Sequence, residues 1–161
     1  MMENDNELIE VKIGALIMDP NTNTPIVVLK GIESETVLPI WVGAFEANAI
    51  ALEIEKIVPQ RPMTHDLLRN VIIECGLRAS RVIVTDLLDN TFYASVELTD
   101  EEDGLVTMDA RPSDAIALAL RLDCPIFVRQ KVLDLSARTQ QTDDEGKDPA
   151  AGADEWPELI G

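Results

Sequence analysis

"AIALEIEKIVP" spans residues 49–59 and "AIALALRLDCP" residues 115–125. Both open with the same four letters, carry an aliphatic residue at the sixth place and close on proline at the eleventh. Sliding the chain by 66 places aligns 41–59 with 107–125 without a gap, and Ala44, Ala49, Ile50, Ala51, Leu52 and Pro59 meet identical residues. Each stretch reads as a helix that follows three strand-like segments. That order, made twice, predicts an α+β domain with internal duplication, a mostly antiparallel sheet packed with helices. The competing reading is that alanine and leucine recur in any buried helix.

The strands can be read outward from the two helices. "LIEVKIGALIM" (8–18) alternates, with Ile9, Val11, Ile13, Ala15 and Ile17 expected on one face. "DPNTNT" is a turn, "PIVVLK" the return strand and "TVLPIWV" a third strand, which Pro39 assigns to an edge or a bulge because it cannot donate to a ladder. A helix is expected over 44–58. A second should be capped by Thr64, run through Cys75 and stop at Gly76. "RVIVTDLL" and "TFYASVELT" flank Asp89-Asn90, a short hairpin turn. "LVTMDA" follows, Pro112 opens the next helix at its favoured first position, and "PIFV" returns as a short buried strand.

Domain organisation follows from composition. Residues 1–135 form one α+β domain. Residues 136–161 lose periodicity and read as a disordered acidic tail ending in "WPELIG", an apolar tip that docks or stays exposed. The polar start "MMENDNELIE" carries no targeting pattern, and no apolar run is long enough for a membrane span; the expected location is cytoplasmic. Cys75 and Cys124 lack C-x-x-C spacing and are expected as small buried hydrophobes in a reducing compartment.

The formal charge is −17, of which −5 belongs to the tail. Such a body repels phosphate backbones, so a nucleic-acid site must be a local basic pocket or lean on metal ions. With 4% aromatic residues there are too few rings for a base-stacking platform, and ordinary single-strand binding is not expected. A single histidine removes every two-histidine acid–base pair and every polyhistidine metal site within one chain. No G-x-G-x-x-G, G-x-x-x-x-G-K or G-x-S-x-G appears.

What remains lies near helix starts. Glu46 and Glu53, seven apart, border the apolar face of one helix as solvated acids or as partly buried cation ligands. Arg111, Pro112, Ser113 and Asp114 form a polar knot, where Asp114 either caps the helix and pairs with Arg111 or shares with it a phosphate-binding helix end. Arg61, Thr64, His65 and Asp66 form another. Histidine is the side-chain type that exchanges a proton near neutrality, so His65 is a candidate general base as well as a candidate plain surface residue.

"VLPIWVGAFEANAIALEIE" (37–55), "RPMTHDLL" (61–68) and "DARPSDAIALALRLDCPIFV" (109–128) resemble the bifunctional nuclease domain family of bacteria and plants, over about residues 8–135. The resemblance implies a compact α+β fold with repeated elements, nuclease activity on RNA and DNA, and homo-oligomers. It marks Glu46, Arg61, His65, Arg111 and Asp114 without assigning them roles. Two expectations follow. In the first, Glu46 and Asp114 hold Mg2+ or Mn2+, Arg61 and Arg111 grip the scissile phosphate of RNA or DNA, and His65 moves a proton. In the second, the chain is a non-catalytic oligomer that binds a ligand or a protein partner.

Overall fold

The computed structural model describes residues 6–144. The chain runs β1 (Leu8–Met18), β2 (Pro25–Gly31), β3 (Val37–Trp41), α1 (Ala44–Ile54), α2 (Thr64–Glu74), β4 (Arg78–Leu88), β5 (Thr91–Thr99), β6 (Leu105–Ala110), α3 (Pro112–Leu122), β7 (Ile126–Arg129) and α4 (Gln130–Asp144). The strands form one sheet in the order β3-β2-β1-β7-β4-β5-β6. Every pairing is antiparallel except β4 with β7. The expected α+β class with a mostly antiparallel sheet is what the chain adopts.

Each meander folds locally, through turns that the sequence marks. Asp89 and Asn90 join β4 to β5 with φ of 51° and 61°, the left-handed pair that a two-residue hairpin needs. β3 lies at one edge of the sheet, where the missing N–H of Pro39 costs no ladder bond. β7 bridges the meanders, antiparallel to β1 and parallel to β4.

A three-strand meander precedes a helix in each half, but the 66-place slide does not match the elements. β3 and α1 start at Val37 and Ala44, β6 and α3 at Leu105 and Pro112, 68 places on. Ala49 is therefore the sixth residue of α1 and Ala115 the fourth of α3. The identities fall on non-equivalent places, and sequence duplication is not established.

β1 corrects a second expectation. Ile13 pairs with Leu29 and Ala15 with Val28, so Gly14 is an extra residue in a bulge. A one-residue slip exchanges the two faces of a strand. Val11, Ile13 and Leu16 accordingly reach the core under the helices, while Ala15 and Ile17 line a groove on the sheet with Val28, Pro39 and Trp41.

The core lies between one sheet face and α1 and α3. α3 packs on β4 and β5, α1 on β2, and both α1 and α2 on α3. Ala115, Ile116, Ala117, Leu118 and Ala119 are all buried, which an α-helix permits only when other elements surround it. Helix ends differ from the sequence pattern in two places. α1 stops at Ile54, four residues short of the expected end, because Lys56 turns left-handed (φ 56°) and the N–H of Ile57 closes back on the carbonyl of Leu52. α2 begins rather than caps at Thr64: the Asp66 carboxylate accepts the backbone N–H of Met63 at 3.0 Å. Its expected stop at Gly76 (φ 75°) is present.

α4 was not expected. It covers Gln130–Asp144, so regular structure continues past residue 135; Val132 and Ser136 are buried. The rest of the tail, with "WPELIG", lies outside the described residues. Cys75 is exposed, against the expectation of burial. Cys124 is half-buried, and burial, with the charge of Asp123, pushes its thiol up to about 11. No helix among the described residues is long and apolar enough to cross a membrane.

Candidate active site

The first turns of α1, α2 and α3 converge on one cavity of about 690 Å³. α3 starts where it does because Pro112 needs no N–H partner at a first helical position and fixes φ for the turn. Arg111 and Asp114 then stand three apart, within reach of each other on one helical face.

Four of the five site residues marked in the sequence form one connected line. His65 Nε2 lies 2.8 Å from Asp114 Oδ1, joining α2 to α3. Arg111 Nε donates to Asp114 Oδ2 at 2.9 Å. Its Nη2 reaches Glu46 Oε1 at 2.9 Å, joining α3 to α1. The side chains of Glu46, His65 and Asp114 are mostly covered, whereas that of Arg111 is 65% exposed. A guanidinium carries five N–H donors, and Arg111 spends two on these carboxylates. The rest have no protein partner among the described residues, which leaves Arg111 able to grip an incoming anion.

Asp114 is the hinge of the line. Burial works to raise its carboxyl, but the hydrogen bonds and charges of Arg111 and His65 outweigh burial and hold it below the ordinary carboxylate value. Asp114 raises the Arg111 guanidinium in return, with a smaller contribution from Glu46. An ionised Asp114 on Nε2 favours a proton there, which leaves Nδ1 of His65 as the basic atom. Nδ1 has no protein partner among the described residues and is not sealed from solvent.

Arg61 is not brought to this line. It is exposed and lines a neighbouring hollow of about 480 Å³ with Glu53, Ile57, Val58 and Arg69. The two hollows share Arg121 as a wall, a residue the sequence reading passed over. Arg121 donates to Asp66 Oδ1 at 2.7 Å, to the Ala117 carbonyl at 3.1 Å and to the Ala49 carbonyl at 3.0 Å. Its signal was present: a lone cation at the end of an unbroken apolar run, Ala115–Leu120, needs a buried partner.

The expected metal pair does not fit as it stands. Glu46 and Asp114 face each other across a guanidinium rather than across a space a cation could enter. No group of three or more His, Cys, Asp or Glu comes together for a metal among the described residues.

Fold and site together define an α+β domain whose Glu46, Arg111, Asp114 and His65 side chains form one line on the wall of a largely apolar cavity. Residues 27–141 match the family model of the bifunctional nuclease domain, and the chain belongs to that family. An uncharacterized protein of Mycobacterium tuberculosis is 40% identical over 124 residues, which cover 77% of this chain and 73% of that protein. Bifunctional nuclease 2 of Oryza sativa subsp. japonica is 31% identical over 101 residues, 62% of this chain and 31% of the rice protein. Bifunctional nuclease 1 of Oryza sativa subsp. indica is 25% identical, over 62% of this chain and 30% of its own length. The match thus spans under a third of each rice nuclease.

Proposed function

We propose that the chain hydrolyses phosphodiester bonds of RNA and DNA, with His65 as general base, Asp114 as the group that orients and charges it, and Arg111 as the phosphate ligand. Glu46 holds Arg111 at the cavity mouth. Arg61, across Arg121 in the next hollow, meets a further phosphate of the same strand. The observation that carries this reading is the unbroken Glu46–Arg111–Asp114–His65 line on the wall of one cavity.

The step balances with protein groups and water. A water on Nδ1 of His65 gives up its proton as its oxygen attacks phosphorus. The P–O bond to the leaving nucleoside breaks, and that oxygen takes a proton from solvent. Arg111 neutralises charge that grows on the phosphoryl oxygens, a role worth most where water is partly excluded. His65, protonated by the step, is stabilised by the carboxylate on its other nitrogen. No step passes through a metal.

A second reading draws on the same ion pairs. Arg111 is held by two carboxylates, and α2 exposes Leu67 and Val71, as a non-catalytic binding module would. One assay separates the readings. Highly purified protein is incubated with labelled RNA and DNA, with Mg2+ or with EDTA, beside His65→Ala and Asp114→Asn prepared in parallel. The nuclease reading expects cleavage that survives EDTA and falls about 100-fold or more in His65→Ala. Wild-type rates in both variants would sink it and leave the binding module.

A further inference from the structure

We propose that the cavity takes one unpaired nucleobase, stacked on Phe45 and hydrogen-bonded by Asn48, so that the substrate is a single strand rather than a duplex. This rests on the nuclease reading of the cavity's polar wall.

Phe45 is 90% exposed, more than any other large apolar side chain described. It lies in the first turn of α1, directly before Glu46, and lines the cavity that holds Arg111 and His65. The fold does not use the ring. Asn48 lies three residues on and Leu52 seven, so Phe45, Asn48 and Leu52 share one helical stripe, and all three line the same cavity. The Asn48 amide is exposed and has no protein partner among the described residues; its carbonyl and NH2 match the mixed donors and acceptors of a base edge. Met63, Leu68 and Met108 complete an apolar wall suited to a flat heterocycle.

Charge explains why a base contact is needed here. A chain at −17 gains little from a long run of phosphates, and Arg111 already answers two carboxylates. Affinity must therefore come from a contact the acidic surface does not oppose. Base–aromatic stacking is such a contact, and it is indifferent to sequence. One ring is a single stacking position, not the row that an extended platform needs. A duplex hides its base faces, and extruding a base breaks its pairing and stacking, so paired DNA is disfavoured.

The test measures binding of the full chain to a short fluorescein-labelled phosphorothioate strand, which resists cleavage, to its duplex, and to an abasic strand of the same length. The wild type is expected to prefer the single strand. Phe45→Ala should weaken single-strand binding roughly tenfold or more with melting unchanged, and Phe45→Trp should retain it. On the abasic strand wild type and Phe45→Ala should bind alike. Equal binding of single strand and duplex, unchanged affinity in Phe45→Ala, or a change of oligomeric mass in that variant would each overturn the proposal, the last because the ring then lies between copies. If the wild type cleaves nothing yet binds through Phe45, the nuclease reading falls and this one stands. If cleavage depends on His65 while Phe45→Ala is silent, the reverse holds.

Discussion

Two arginines stand at opposite ends of α3. Arg111 precedes the helix with its side chain 65% exposed; Arg121 is in the last turn at 2%. Each is tied to a carboxylate in the first turn of a helix: Arg111 to Asp114 on α3, which holds His65, and Arg121 to Asp66 on α2. Arg121 spends its donors on the fold, two of them on the main-chain carbonyls of Ala49 and Ala117. Arg111 keeps donors facing solvent. The same side chain is thus a structural staple where it is sealed and a ligand-binding group where it is open. Together the two ties lock His65 and Asp66, adjacent on α2, against the two ends of one helix.

The largest effect should come from breaking the staple. Arg121→Met removes the sealed partner of a part-buried pair and leaves two carbonyls and Asp66 to find water. The expected loss is about 3 kcal/mol, or roughly 6–12 °C in Tm. Adding Asp66→Asn, which keeps an acceptor for the Met63 N–H but drops the charge, should recover part of that loss, so that the double variant is less destabilised than the two singles combined. Strict additivity would show that Arg121 acts through its carbonyl bonds alone and would weaken the parallel with Arg111.

Arg111→Lys sharpens the contrast from the open side. Its guanidinium is open to solvent, which screens both ion pairs, and pairs of that kind contribute about 0–1 kcal/mol, so melting should barely move. Cleavage should fall well beyond what stability explains, since an ammonium cannot span two carboxylates and still present a planar fork to a phosphate. A variant that melts early in proportion to its lost activity would put Arg111 in the same structural class as Arg121.

The contrast also marks what could be read from the sequence. Features decided by neighbours in the chain were legible: Pro112 opening α3, Asp89-Asn90 turning the hairpin, Pro39 sending β3 to an edge, and Arg111 three residues before Asp114. Features decided by distant partners were not. His65 meets Asp114 across 49 residues, and Arg121 meets the Ala49 carbonyl across 72. The Gly14 bulge escaped because the β1 pattern of alternating aliphatics suits either face until β2 sets the register. α4 escaped because Val132, Leu133 and Ser136 are anchors scattered in a stretch that is polar by composition.

The smallest effect is a slope in acid. Asp66 and Asp114 are both opposed by burial, yet both stay below the ordinary 3.8, Asp66 through the Met63 N–H and Arg121, Asp114 through Arg111 and His65. A carboxyl depressed in the folded state contributes stability that is fully present above its unfolded pKa and is lost as pH falls through the lower folded value. The urea midpoint should therefore hold steady from neutrality to about pH 4 and decline below it. Arg121→Met and Arg111→Lys should each flatten that decline, the first more, because a sealed partner is screened less than an exposed one. A decline of the same steepness in wild type and Arg121→Met would mean that Asp66 owes its low value to the helix start rather than to the staple. The two ends of α3 would then differ in what they do to their carboxylates as well as in exposure, with Arg111 holding Asp114 low and Arg121 leaving Asp66 as it is.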